Sequence, residues 1–188
     1  MGLIVDTPNG PFTLARSCDG CTLCCKVMQV DAPLDKPMNQ WCVHCVVGTG
    51  CGIHETRPPV CRSFYCVWLM DGNLTEEWRP ESCHMVLWLD LDGRRLNINA
   101  DEDFPNAWRT EPFLTRFKAL AAQALPQNGQ VVAYVGREVF VILPDRYVAL
   151  GALTPDEYIF IERVVDGSWD ARKVDESQAQ ALREAGRA

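Results

Sequence analysis

CDGCTLCC, residues 18–25, places four cysteines in eight positions: Cys18, Cys21, Cys24 and Cys25. Six more follow, Cys42, Cys45, Cys51, Cys61, Cys66 and Cys83, and residues 84–188 contain none. Residues 18–84 also hold all three histidines. Whatever draws the thiols into one part of the chain sets the architecture of that part. It is interrupted by Pro33, Pro37, Gly48, Gly50, Gly52, Pro58 and Pro59 and shows little sustained periodicity. The expectation is loops and short helices folded around something other than a hydrophobic stripe.

Small size does not account for the thiols. A chain of 188 residues, 47% of them hydrophobic, can bury a core of its own. The net charge of −7 disfavours binding to phosphate backbones, so nucleic acid is not an expected partner. No run of 18 apolar residues suggests a membrane helix. The start MGLIVDTPNGPFTLARS lacks a basic region followed by a long apolar one, and Asp6 stands where a myristoylation signal carries Ser or Thr. The expected location is cytoplasmic. There thiols stay reduced, and cysteines at close spacing point to metal more than to disulfides.

Two thiols that share one ion must bring their sulfurs within about 4 Å of each other, and C-x2-C does this in a turn. The chain has three such pairs, Cys18/Cys21, Cys21/Cys24 and Cys42/Cys45. Cys24 and Cys25 are adjacent and so point in different directions on a helix or strand. They do not readily grip one ion together, which favours two sites, with some ligands bridging. Zinc takes four thiolates, or thiolates with histidine. A [4Fe–4S] cluster also takes four cysteines, and C-x2-C-x2-C begins the ferredoxin run. Either centre carries about −2 in net charge and needs cations or N–H donors around it. Lys26, Arg57 and Arg62 are candidates. With ten thiols present, His44, His54 and His84 are not required as ligands. GTGCG, residues 48–52, reads as a turn presenting Cys51, Trp41, Phe64, Tyr65 and Trp68 as an apolar shell, and the scattered methionines as core filler.

Beyond residue 83 the texture changes. HMVLWLDLDGRRLNINA, residues 84–100, alternates around Asp92-Gly93 and predicts a hairpin. TEPFLTRFKALAAQAL, residues 110–125, has a cap candidate in Thr110 and helical spacing of Phe113, Leu114, Phe117, Leu120, Ala121 and Leu125. VVAYVGREVFVILPDRYVAL, residues 131–150, reads as two or three strands turning at Gly136-Arg137. Thr154-Pro155-Asp156-Glu157 reads as a helix start, and residues 175–188 as a weak terminal helix. Residues 59–70 open with a proline and predict one helix. Residues 1–17 read as an extended or loose lead-in with a turn at Pro8-Asn9-Gly10-Pro11. The expected class is α+β. A cysteine-rich, loop-dominated half, residues 1–83, packs on a small antiparallel sheet with helices, residues 84–188, as two regions or one continuous domain.

CDGCTLCC, WCVHC (residues 41–45) and GCGIHETRPPVCRSFYC (residues 50–66) together resemble the CxxCxxCC cysteine-cluster family, described as a zinc- or iron-chelating domain. The Cys51–Arg62 stretch matches that family's Cys-x-Ile-Tyr-x-x-Arg-Pro-x-x-Cys-Arg pattern, with Arg57-Pro58 as its Arg-Pro and His54 standing where the family has tyrosine. The resemblance covers residues 16–70. A related segment occurs in flagellin lysine methylases with an iron–sulfur cluster, but nothing here resembles their S-adenosylmethionine loop. The expected function is therefore a metal-binding protein, not an enzyme, with two cysteine-thiolate zinc sites drawn from Cys18, Cys21, Cys24, Cys25, Cys42, Cys45, Cys51, Cys61, Cys66 and Cys83. The alternative is an iron–sulfur protein with a redox or electron-transfer role. A thiol oxidoreductase would need its C-x-x-C at a helix start in a βαβ unit, and a hydrolytic zinc enzyme an open coordination position. Neither pattern is present.

Overall fold

The structure, a computed structural model, describes residues 4–7, 10–18, 20–90 and 92–185. The chain opens with a hairpin of β1 (Ile4–Thr7) and β2 (Gly10–Thr13), the extended form of the expected lead-in. Pro8 and Asn9 of the expected turn lie outside the described residues. The cysteine-bearing stretch then holds only short elements: α1 (Cys24–Val27), the two-residue strands β3 (Cys45–Val46) and β4 (Gly50–Cys51), α2 (Pro59–Arg62), α3 (Val67–Met70) and α4 (Pro80–Cys83). A one-turn helix closes too few hydrogen bonds to hold itself together. These elements therefore depend on what they are tied to.

They are tied to a five-stranded sheet, β5 (Met85–Asp90), β6 (Arg95–Ala100), β7 (Gln130–Val135), β8 (Glu138–Ile142) and β9 (Tyr147–Ala152), in the order β5-β6-β7-β8-β9. The hairpin expected at Asp92-Gly93 is present. Both residues are left-handed, at φ 56° and 86°, and Asp90 pairs with Arg95. Between β6 and β7 runs α5 (Phe113–Ala124), which buries Phe113, Phe117 and Ala121, one residue per turn. This crossover brings β7 back parallel to β6. The sheet is therefore mixed, not wholly antiparallel as expected, and the α+β class holds. After it come the ribbon β10 (Glu157–Arg163) with β11 (Trp169–Asp175) and then α6 (Glu176–Glu184), whose N-terminus is a full capping box of Asp175 and Gln178.

Three further expectations need correction. Thr154–Glu157 is not a helix start: Glu157 accepts from Thr154 N (2.9 Å) and closes a turn into β10. Thr110 does not cap α5: its hydroxyl donates to Ala107 O at 2.8 Å, and Pro112 occupies the cap position. Residues 59–70 form two helices, α2 and α3. Ser63 folds back on Pro59 O (3.1 Å), and the backbone is extended at Cys66 (ψ 159°). The break sends Cys61 and Cys66 in different directions.

One continuous core crosses residue 83. Leu23, Val27, Trp68, Leu69 and Trp78 are buried with Met85, Ile98, Trp108, Phe117 and Val141. Trp78 meets Phe113 edge-on at 4.8 Å between ring centres. Met28, Met70 and Met85 serve as core filler, as expected. Two polar anchors join the cysteine-bearing stretch to this frame. Arg16 stacks on Trp68 at 3.8 Å and donates to the carbonyls of Trp68, Asp71, Gly72 and Leu74. Lys26, 8% exposed, spans both oxygens of Asp101 at 2.6 and 2.8 Å and also donates to Asp103. Burial alone would lower the Lys26 pKa, but the two carboxylates more than offset it and hold the ammonium above its usual value.

Lys26→Met should strand the Asp101 carboxylate, itself 4% exposed, and cost about 3–5 kcal/mol in urea unfolding. Adding Asp101→Asn should recover most of that loss. Equal losses in the single and double variants would show that the pair does not anchor α1.

Candidate functional site

The frame gathers the ten cysteines into two neighbourhoods. The first contains Cys24, Cys25, Cys42, Cys45, Cys51 and Cys61. Cys24 and Cys25 lie on α1, and Cys42 is tied to them by its N–H, which donates to Cys25 O at 2.9 Å. Cys45 N donates to Cys42 O at 2.9 Å, closing the C-x2-C turn, and the β3–β4 pairing sets Cys45 opposite Cys51. Gly52 N donates to His44 O at 2.8 Å and holds the base of that small hairpin. The expected turn at GTGCG is there. Cys61 arrives on α2, near enough for Cys25, Cys42 and Cys51 to act on it electrostatically. The Cys25 thiol hydrogen-bonds to those of both Cys24 and Cys45.

The second neighbourhood contains Cys18, Cys21, Cys66 and Cys83. Cys21 N donates to Cys18 O at 2.7 Å, again a C-x2-C turn, and Cys66, at the start of α3, lies within electrostatic reach of both. Cys83, on α4, lies within reach of Cys21. It is the deepest of the four, and its Sγ donates to the carbonyl of Met85 at 3.3 Å. Thr22 joins the two neighbourhoods. Its N–H and hydroxyl both donate to Glu81 Oε1, at 3.0 and 3.2 Å, and the hydroxyl accepts from Gly48 N at 3.3 Å. Gly20 is left-handed (φ +77°), and a Cβ there would lie 3.1 Å from Gly48 O, so this close approach requires glycine.

No disulfide joins any of the ten thiols. Among the described residues, no group of three or more His, Cys, Asp or Glu side chains is arranged to hold a metal ion. Cys21, Cys25, Cys45, Cys61, Cys66 and Cys83 are all held above the usual thiol value. Burial pushes Cys21 and Cys66 up to about 11 and Cys83 up to about 12. Cys45 also rises to about 12, through burial and then the neighbouring Cys25. For Cys25 the hydrogen bond with Cys24 acts first and burial second, both upward.

The charges around the thiols differ from the expectation. Lys26, expected beside the sulfurs, is committed to Asp101 and Asp103. The cation that faces the six-thiol neighbourhood is Lys36, 6% exposed, with Cys42, Cys25, Cys24 and Cys61 around it. Its ammonium donates to the carbonyls of Lys26, Met28 and Pro37. Burial holds its pKa below the usual lysine value, while the surrounding thiols act to raise it. Sequence reasoning missed Lys36. The only local signal was a lysine held between Pro33 and Pro37 in an otherwise loop-like stretch. Arg57 does lie beside Cys61, as expected, and Arg62 donates to Arg57 O at 3.0 Å. His54 is exposed and bonds to Arg57, and His84 stacks on Phe104 at 3.6 Å. Trp41 is 41% exposed, so the expected apolar shell is carried by Trp68 with the half-buried Phe64 and Tyr65.

No family model matches the chain, and neither does any curated protein or any solved structure. No helix among the described residues is long and apolar enough to cross a membrane.

The raised thiols imply a pH dependence for the metal-free protein. An unfolded thiol loses its proton near 9.0, whereas buried Cys83 keeps its own to about 12. Between those values the unfolded chain binds fewer protons than the folded one, so folding is progressively disfavoured. Metal-free protein should be equally stable at pH 7 and 8 and lose stability from pH 9 to 12, measured by the urea midpoint. A rise over that interval would contradict the burial of these thiols.

Proposed function

We propose that the protein binds metal through cysteine thiolates at two centres. One is formed from Cys18, Cys21, Cys66 and Cys83, the other from Cys24, Cys25, Cys42, Cys45, Cys51 and Cys61. The observation that carries this reading is the grouping itself. Thiols up to 65 positions apart are brought together from separate loops, and residues 18–83 contain little else that would order them. Placing ten thiols in two neighbourhoods, with Cys66 and Cys83 buried and Cys18 exposed, has no packing advantage that alanine or valine would not supply.

The donor chemistry fits a soft or borderline ion. The groups are thiols almost exclusively, two of the C-x2-C pairs lie on hydrogen-bonded turns, and the rings of His54 and His84 contact Arg57 and Phe104. Zinc is the reading that requires least, because four-thiolate zinc is closed, redox-silent and contributes its binding free energy to folding. This agrees with the CxxCxxCC resemblance. The protein's own residues would then act as ligands and as supports: Thr22 with Glu81 fixes the spacing between the centres, and Arg16 holds the segments entering Cys18 and leaving Cys66. We propose no enzymatic step.

The test is metal analysis with a visible spectrum on protein purified anaerobically, followed by hydrogen exchange before and after chelation. About two or more zinc ions per chain are expected, with no visible band. Chelation should abolish amide protection in residues 18–83 and spare β5–β8. Iron with acid-labile sulfide and a broad visible band would replace zinc by an iron–sulfur centre on the same thiols. Protein that binds neither metal would remove the proposal. Cys83→Ala should cost one metal equivalent, and full retention would limit the four-thiol centre to three cysteines.

A further inference from the structure

We propose that the cleft between the end of α4, residues 104–107 and the start of α5 binds a small, flat, uncharged nitrogen heterocycle. This does not depend on the metal reading, although Cys83 lines the same cleft.

The cleft has a volume of about 360 Å³, within the range of roughly 300–1,000 Å³ for pockets that take a small molecule. Its frame is backbone. Asp101 N donates to His84 O and Phe104 N donates to Asp101 O, both at 2.9 Å. Both residues therefore hang from Asp101, whose carboxylate is itself held by Lys26. The rings of His84 and Phe104 stack at 3.6 Å between centres and 6° from parallel. His84 occupies the left-handed position that ends α4 (φ 56°, ψ 32°), where glycine is the residue of least cost. The sequence keeps a ring there, and that ring lines the cleft. Phe104 is 46% exposed, so much of its ring is left uncovered. Phe113, also in the lining, is buried and fixed edge-on by Trp78.

The chemistry of the lining narrows the ligand. No Asp, Glu, Lys or Arg side chain lines the cleft, so a charged ligand would give up water without gaining a counter-charge. Aromatic rings favour a flat partner that stacks on them. The polar groups in the lining include the Ser82 hydroxyl and the Asn106 carboxamide. The Thr110 hydroxyl is already committed to Ala107 O. Among the described residues, nothing hydrogen-bonds to the side chains of Ser82 or Asn106. A carboxamide offers donors and an acceptor side by side, which matches the edge of an adenine-like ring. A phosphate on the same ligand is disfavoured, because the chain carries −7 and the cleft contains no Lys or Arg.

The experiment titrates the full-length, isotope-labelled protein with adenine and, in parallel, with cyclohexanol, benzoate and adenosine monophosphate, read by proton–nitrogen correlation spectra. Adenine should shift the amides of residues 82–84 and 104–110 with a dissociation constant in the roughly millimolar range. Cyclohexanol, similar in size to one ring but not flat, should shift none of them, and benzoate and adenosine monophosphate should bind more weakly than adenine. Phe104→Leu keeps an apolar side chain but removes the ring face and should weaken adenine roughly three- to tenfold. Asn106→Ala should weaken it by about as much. Both positions are exposed, so the urea midpoint should not move, which separates ligand recognition from a structural role. Absence of shifts at saturating adenine would overturn the inference. So would cyclohexanol or benzoate shifting the same amides as strongly, or undiminished adenine binding in either variant. Metal content is measured separately, so the thiolate reading stands or falls apart from these outcomes.

Discussion

The contact between Lys26 and Asp101 fixes where the cysteine-bearing stretch sits. α1 is a single turn and carries two of the ten cysteines, so its position sets theirs. Taking both charges out of water costs several kcal/mol each, and only close, multiple contacts recover it. Here both carboxylate oxygens are engaged, Asp103 adds a second acid, and the Asp103 N–H donates to Asp101 Oδ1 at 3.0 Å. A hydrophobic contact at the same place would tolerate sliding of the helix. The two-oxygen grip does not, and Val27, fully buried beside Lys26, completes the attachment. Arg16 does the same for the other end of the run, donating to the carbonyls of Trp68, Asp71, Gly72 and Leu74 and so holding Cys18 near Cys66.

The two halves of the molecule are held by different physics. From Met85 onward, ordinary burial is enough: a sheet, a helix laid across it, and aromatic rings packed edge to face. Between β2 and Met85 the backbone is mostly irregular, and apart from the two-residue β3–β4 pairing and single helical turns its internal hydrogen bonds are turns and side-chain contacts. Such a segment has little cooperative stability of its own. Its order must come from anchors to the sheet or from whatever its thiols bind, and the charged contacts of Lys26 and Arg16 act beside the apolar ones of Leu23, Val27, Trp68, Leu69 and Trp78.

This difference also explains how much could be read from the sequence. The hairpin at Asp92-Gly93 and the helix Phe113–Ala124 were legible because turn chemistry and periodicity are local. The Cys18–Cys21 and Cys42–Cys45 turns were legible for the same reason, whereas the third expected pair is split, with Cys21 and Cys24 in different neighbourhoods. The grouping of thiols was not. Cys61 and Cys66 are five residues apart, and only the extended backbone at Cys66 sends them to different neighbourhoods. The roles of the lysines were not legible either. Lys26 and Lys36 both sit in polar, loop-like surroundings, and which of them meets a carboxylate depends on residues 101–103 arriving from another part of the chain. The parallel pairing of β6 with β7 was hidden likewise, because strand patterns carry alternation but not direction.

The 75-residue separation between Lys26 and Asp101 has a consequence for biosynthesis. Synthesis proceeds from the N-terminus at about 5–20 residues per second, so roughly 4–15 s elapse between the emergence of α1 and that of its anchor. During that interval all ten thiols leave the ribosome ahead of the sheet that will position them. The nascent segment is then an open polythiol ligand, able to meet metal or oxidant before it can fold. Capture of an ion at that stage would draw the loops together early and leave the sheet to close over an assembled centre. Oxidation would instead fix wrong pairs of sulfurs that the later anchors could not reconcile.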